Sequence, residues 1–138
     1  WAADQSDESS IPGQDDAQKD IFLSDTALYV PAAHRAPELY FTIRNTSSTA
    51  HLLEGVSSPA CLTLAGHHAD QESSDGTLGL FTHLALPASS TLVFPAGGYN
   101  LLCLGSTVTP QSGQTIKVTF RFLGGSSKTV SVPVVTTP

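Results

Sequence analysis

The sequence predicts an all-β domain built as a small Greek-key β-sandwich or barrel, and three observations support this prediction. The 138-residue chain has 11 Gly and 9 Pro spread among segments rich in Val, Thr, Leu and Ser, and only 13% of its residues are charged. Apolar and polar residues alternate in several segments, as in strands with one buried face. No segment after residue 20 keeps the apolar period of a helix. Seven or more short strands in one domain are typical of these architectures.

The alternation is clearest in three segments, each of which is predicted to be a strand with one face in the core. Their apolar positions are Leu39, Phe41 and Ile43; Ile116, Val118, Phe120 and Phe122; and Val130, Val132 and Val134. Turn-forming residues separate the runs at 45–47, 57–59, 95–98, 109–113 and 123–126.

The negative charge is concentrated at the N-terminus. Residues 1–20 contain six of the twelve acidic residues against Lys19 alone, a net charge of 1 − 6 = −5 out of −6 for the chain. Because residues 1–19 have few apolar side chains to bury, they are predicted to be a flexible acidic segment ahead of a β domain over 20–138. A metal-collecting arm is the alternative, although carboxylates without a scaffold bind metals weakly.

Composition also limits the possible functions and indicates the cellular compartment. Six Lys and Arg residues against twelve acids leave no basic surface for nucleic acid, and no apolar run approaches the ~20 residues of a membrane span. The chain has no Met and starts at Trp1, which we interpret as a mature product whose leader has been removed. We therefore expect a periplasmic or secreted protein.

Two cysteines, Cys61 and Cys103, are present. An even count in an exported protein favours one disulfide, and two buried free thiols are the alternative. The sequence contains no nucleophile elbow, zinc-protease motif, phosphate loop or dinucleotide fingerprint, so we expect no enzymatic activity.

Polar chemistry is densest at His67 and His68, which precede the acids Asp70, Glu72 and Asp75. Imidazole and carboxylate groups could bind a divalent metal, but adjacent residues of a strand point to opposite faces. The two histidines could share an ion only if the chain bends, which the turn at Asp75-Gly76 would allow. His34, His51 and His83 stand apart and are expected to be surface or hydrogen-bonded residues.

Several short motifs, taken in order, resemble the PCuAC family of periplasmic copper chaperones. They are Asn45 at a strand end, Leu53-x-Gly55-x-Ser57-Ser58-Pro59-Ala60, His67, Leu86-Pro87-Ala88, Pro95-Ala96-Gly97-Gly98-Tyr99 and Gly113-Gln114-Thr115. The resemblance spans residues 38–135. It implies a cupredoxin-like β-sandwich and a role in copper handling, with a periplasmic copper protein or a cytochrome oxidase assembly factor as partner.

The resemblance also implies where a Cu(I) site would lie. With the family's ligand spacing, the four ligand positions are His67, Leu78, Asn100 and Leu102. Cu(I) prefers thioether and imidazole donors, so His67 is the one retained ligand and the Cu(I) site is expected to be weakened or lost. The remaining role would be weak Cu(II) binding through His67 and His68, with His83 or an acid from 70–75 as a further ligand, or a role as companion to a full chaperone.

An alternative to copper handling is a metal-free interaction module. In that hypothesis the former site, with Leu78 and Leu102, is an exposed apolar patch that contacts a protein partner.

Alternation from Tyr99 to Leu104 places Cys103 on the face opposite Asn100 and Leu102, towards the core. Because some family members carry cysteines at both positions, the resemblance implies a core disulfide between Cys61 and Cys103. If both thiols were free, a copper site of Cys and His would be conceivable.

Overall fold

The structure is a computed structural model that describes residues 16–31, 35–68, 79–80, 83–95, 98–106 and 110–137. Within these ranges one 3-10 turn precedes ten strands. The turn is Ala17–Lys19, and the strands are β1 Ile21–Tyr29, β2 Glu38–Asn45, β3 His51–Ser57, β4 Thr63–His68, β5 Gly79–Leu80, β6 Leu84–Leu86, β7 Ser90–Phe94, β8 Tyr99–Leu104, β9 Thr115–Phe122 and β10 Ser127–Val135.

The strands form a curled sheet in the order β5-β4-β8-β2-β1-β10-β9-β3-β6. Strand β7 also pairs with β2, along residues 41–45, whereas β8 pairs with residues 38–39 of β2. Strands β5, β4, β8, β2, β7 and β1 make one layer, and β10, β9, β3 and β6 make the other. A parallel pairing of Leu28 and Tyr29 with Val134 and Val135 joins the layers. The predicted all-β sandwich is confirmed.

The core lies between the two layers and contains the predicted apolar faces. Leu39, Phe41 and Ile43 of β2 are buried there, and the ring of Phe41 stacks on Phe94 at 4.7 Å and meets Phe120 edge-on at 5.3 Å. Ile116 and Val130 are half-buried and pack against this cluster, whereas the other predicted core positions of β9 and β10 are buried. The alternation of each strand therefore identified its inward face.

The 3-10 turn attaches the N-terminal end of the described chain to the sandwich. Ala17 is 0% exposed and belongs to the core cluster. The Asp20 carbonyl accepts hydrogen bonds from the backbone N–H and the hydroxyl of Thr46, and its carboxylate lies 2.9 Å from His51 Nε2. The expectation that His51 is a hydrogen-bonded residue is confirmed. The composition boundary at residue 19 falls inside the described fold, and residues 1–15 lie outside the described residues.

The predicted disulfide is confirmed. Cys61 and Cys103 are bonded, with 5.2 Å between their Cα atoms and a sequence separation of 42. Both cysteines are buried in the core cluster, and Cys61 lies just before β4 whereas Cys103 is in β8. The cross-link thus fixes the start of β4 to the strand with which β4 pairs.

Asn45, at the end of β2, ties two loops together. Its side chain is buried, and Nδ2 donates to the carbonyls of Thr49 at 2.9 Å and Leu86 at 3.0 Å. Its Oδ1 accepts from the backbone N–H of Ser47 at 3.0 Å. The amide therefore supplies hydrogen-bond partners to backbone groups in the loop after β2 and at the end of β6.

We expect Asn45→Ala to lower the free energy of unfolding by about 2–4 kcal/mol, because it leaves buried carbonyls without a donor. Urea denaturation followed by circular dichroism measures the loss. Thr91→Ala, on the exposed face of β7, is the control and should change stability by less than about 0.5 kcal/mol. A loss below about 1 kcal/mol for Asn45→Ala would contradict a tying role.

Candidate functional site

Three adjacent strands, β4, β8 and β2, bring the candidate site together. In the β4–β8 ladder His67 pairs with Asn100, and Ala65 pairs with Leu102. In the β8–β2 ladder Leu102 pairs with Glu38. These positions share the face of the sheet that points away from the core, since Leu101, between Asn100 and Leu102, belongs to the core cluster. We call Glu38 and Asn100, with the backbone position of His67 opposite Asn100, the Asn100 site.

Asn100 is the centre of this site. It is 0% exposed, and its Nδ2 donates to Glu38 Oε1 at 3.1 Å and more weakly to the Pro95 carbonyl at 3.4 Å. Its Oδ1 is buried and has no hydrogen-bond partner among the described residues. Leaving a buried amide oxygen without a hydrogen bond lowers the stability of the folded state by about 1–3 kcal/mol. Among the described residues, Asn100 Oδ1 is such an unused acceptor.

Glu38 supplies the negative charge of the site. It is 8% exposed, and Arg35, whose side chain is largely exposed, approaches Oε2 at 3.8 Å. Burial raises the pKa of Tyr40 to about 12, and the charge of Glu38 adds to this shift. Tyr40 therefore remains a neutral phenol, stacked on Tyr29 at a centroid distance of 6.1 Å. The described polar side-chain atoms around Glu38, Tyr40 and Asn100 are oxygen and nitrogen atoms.

Leu102 does not form the exposed apolar patch that the interaction-module hypothesis requires. It is 7% exposed, between Ala65 on β4 and Glu38 on β2. The expectation of an exposed leucine is thus wrong at this position. Leu104 is half-buried, and Leu78 lies outside the described residues.

The other predicted ligands are dispersed or lie outside the described residues. His67 and His68 occupy consecutive positions of β4, opposite Asn100 and Tyr99, and the backbone is described there without the side chains. His83 is exposed with φ of 58° and precedes β6, in the other layer. His34 and residues 70–75 are outside the described residues.

Across the described residues, no group of three or more His, Cys, Asp or Glu side chains is placed to hold a metal ion. The donor atoms of these residues do not fit Cu(I), because none is a thioether and the two cysteines are bonded to each other in the disulfide.

Within the described ranges, no helix is long and apolar enough to cross a membrane.

Sequence reasoning missed Glu38. A glutamate at the start of a strand ordinarily indicates a solvated strand end, so the residue carried no signal of its own. Only the structure shows that Glu38 is buried, that it lies opposite Leu102 of β8, and that Asn100 Nδ2 donates to its carboxylate.

Solved structures define the class of fold. The chain is similar to the copper-bound PCuAC domain from PmoF2, with a TM-score of 0.67, 19% identity, and coverage of 86% of this chain and 94% of that domain. The apo PmoF2 PCuAC domain gives a TM-score of 0.68 at 19% identity, covering 85% and 90%. The solution structure of CuI-DR1885 from Deinococcus radiodurans gives 0.63 at 21%, covering 80% and 74%. The cupredoxin-like PCuAC fold predicted from the sequence is confirmed.

Sequence comparison defines the family more narrowly. Residues 21–134 match the profile of a family described as "Putative lipoprotein LpqE-like", and the chain belongs to this LpqE-like family. It is also 32% identical over 93 residues to the "Putative lipoprotein Lxx21020" of Leifsonia xyli subsp. xyli (strain CTCB07). That match covers 67% of this chain and 56% of the relative, so the chain spans little more than half of its relative's length.

Proposed function

We propose that this chain is an exported, non-enzymatic copper-handling protein in which the Cu(I) site of the PCuAC fold is weakened or lost. The likeness to a copper-bound PCuAC domain and to CuI-DR1885 supports the copper-handling part. Membership of a family described as lipoproteins supports export, to the periplasm or the cell exterior. The partner would be a periplasmic copper protein or a cytochrome oxidase assembly factor.

One observation supports the proposal that the Cu(I) site is weakened or lost. Asn100, at a position where the family resemblance implies a copper ligand, is a buried amide bound to Glu38. An amide oxygen is a hard donor, whereas Cu(I) is soft and prefers sulfur and imidazole. The neighbouring implied ligand, Leu102, is a buried hydrocarbon, and no Met anywhere in the chain can replace it.

The metal-free interaction module is not favoured. It requires an exposed leucine surface at the former copper site, whereas Leu102 is 7% exposed. A buried side chain contributes to folding rather than to recognition of a partner, because it has no apolar area left to remove from water.

A Cu(I) competition titration tests the proposal. We expect the purified protein to leave Cu(I) on a chromogenic chelator, with an apparent dissociation constant weaker than about 1 μM. Ascorbate is the suitable reductant, since a thiol would also reduce the Cys61–Cys103 disulfide. His67→Ala should behave like the wild type within about twofold, because one imidazole makes no tight Cu(I) site. If the wild-type protein withdraws one equivalent of Cu(I) from the chelator, the proposal that its Cu(I) site is weakened or lost is overturned.

A further inference from the structure

We propose that the acidic N-terminal segment of this chain, residues 1–15, docks on the outward face of β9 through ion pairs with Lys117 and Arg121. The segment has four acidic residues and no Lys or Arg. The inference goes beyond the proposed function, because it involves no metal ion and concerns the layer of the sandwich that does not contain the Asn100 site.

The outward face of β9 concentrates positive charge in an acidic chain. Lys117 and Arg121 are exposed, on the side of β9 opposite to the buried Val118 and Phe120. The four strands of this layer contain three Lys or Arg residues and one acid, Glu54, whereas the whole chain has a formal net charge of −6. This face therefore attracts negative charge although the chain as a whole repels it.

Neither cation of this face is neutralised by an acid among the described residues. Lys117 Nζ donates to the Ser131 hydroxyl at 2.8 Å, which holds the ammonium group on the sheet but leaves its charge in place. The Arg121 guanidinium lies over Gly55 of β3 and occupies the space of a side chain there, since a Cβ atom at Gly55 would come within 2.6 Å of it. Ion pairs among the described residues involve other cations, so both charges are available to a further anion.

The described chain begins at the end of β9 that carries Arg121. The backbone N–H of Gln18 donates to Ser126 Oγ at 3.3 Å, and Ser126 lies in the turn between β9 and β10, next to the residue that pairs with Arg121. Lys128, the third cation of this layer, donates to the Ile21 carbonyl at 2.6 Å and thus contacts the start of β1 instead. The chain ahead of residue 16 therefore starts beside the basic face of β9.

The length of the segment and the spacing of its acids suit this face. Lys117 and Arg121 are four residues apart on one side of a strand, about 13 Å at 3.3 Å per residue. Asp4 and Glu8 have the same separation and would share one side of an extended segment. The eight residues from Glu8 to Asp16 can span about 26–29 Å, which is more than the distance along β9 requires. Because the segment is tethered, its local concentration is high enough for individually weak ion pairs to hold it.

Acrylamide quenching of Trp1 fluorescence in the full chain tests the inference, because Trp1 is the single tryptophan and precedes Asp4 by three residues. We expect the quenching constant in about 20 mM NaCl to be at least about 1.5-fold smaller than in about 500 mM NaCl, where exposed charges are screened. Arg121→Glu and Lys117→Glu should each raise the low-salt constant towards the high-salt value. Arg44→Glu is the matched control, since it makes the same charge change at an exposed position of the other layer, and it should behave as the wild type does.

A charge exchange separates docking from a general effect of net charge. Lys117→Glu with Arg121→Glu should release the segment, and adding Asp4→Lys with Glu8→Lys should recover at least about half of the lost protection, because the pairs form again with opposite signs. Asp4→Asn with Asp7→Asn and Glu8→Gln changes only the segment and leaves every residue of the described fold intact. It should raise the low-salt quenching constant as Arg121→Glu does, which keeps the test independent of any folding defect in the β9 variants.

The outcomes decide this inference separately from copper handling. A quenching constant that does not depend on salt, or that changes equally in Arg121→Glu and Arg44→Glu, overturns the docking. Protection of Trp1 that disappears on dilution overturns it as well, because the segment would then bind a second copy of the chain. Each of these results leaves the proposed function standing. Withdrawal of one equivalent of Cu(I) in the competition titration overturns the proposed function and leaves the docking standing.

Discussion

Replacing both cysteines by alanine, as Cys61→Ala with Cys103→Ala, should lower the free energy of unfolding by about 4 kcal/mol. The disulfide closes a loop with a sequence separation of 42, and removing it returns the loop-closure entropy to the unfolded chain. Both side chains lie in the core, so alanine is preferable to serine, which would add a buried hydroxyl. A loss of this size is a large fraction of the 5–15 kcal/mol that is typical of a domain.

Urea denaturation of the oxidised wild type and of the double variant measures the difference. The variant should also show a larger denaturant slope, because its unfolded chain is no longer cross-linked and exposes more surface. Wild-type protein reduced with dithiothreitol is the matched control and should unfold near the midpoint of the double variant. A difference below about 1 kcal/mol would show that the cross-link contributes little beyond core packing.

The second large effect is a gain of Cu(I) binding. With His67 retained, the triple variant Leu78→Met, Asn100→His and Leu102→Met places a thioether or imidazole donor at each of the four positions that the family resemblance implies. We expect its Cu(I) affinity to exceed that of the wild type by at least about a hundredfold, because two thioethers and a second imidazole replace hydrocarbon and an amide. Glu38, now bound to Asn100, could accept a hydrogen bond from one ring nitrogen of the new histidine and leave the other for copper.

The same chelator competition measures this gain, and two controls define it. Leu102→Met alone changes a buried side chain at nearly constant volume, so it should fold with a loss below about 1.5 kcal/mol and gain little affinity. The triple variant with His67→Ala added should lose most of the gain. A folded triple variant that binds Cu(I) no better than the wild type would show that the four positions do not converge on one ion.

Much of the fold could be predicted because each strand carries its own pattern. The alternation of β2, β9 and β10 identified their inward residues, and the even cysteine count indicated the disulfide that the structure contains. The N-terminal boundary was harder to place, since a single small side chain, Ala17, anchors the turn ahead of β1 and carries no periodicity. The hydrogen bond between His51 and Asp20 joins residues far apart in the chain, and no local pattern indicated that pair.

The sequence by itself determined the donor atoms: a chain without methionine, with Asn100 and Leu102 on one face of β8 and Cys103 on the other. Only the tertiary structure decided that this outward face is covered, that Glu38 receives the Asn100 amide, and that one amide oxygen is left without a described partner. The physical reason is that alternation is a local property of a strand. Which polar side chains meet on the outward face depends instead on which distant strands pair beside it, and a strand's own residues do not encode that.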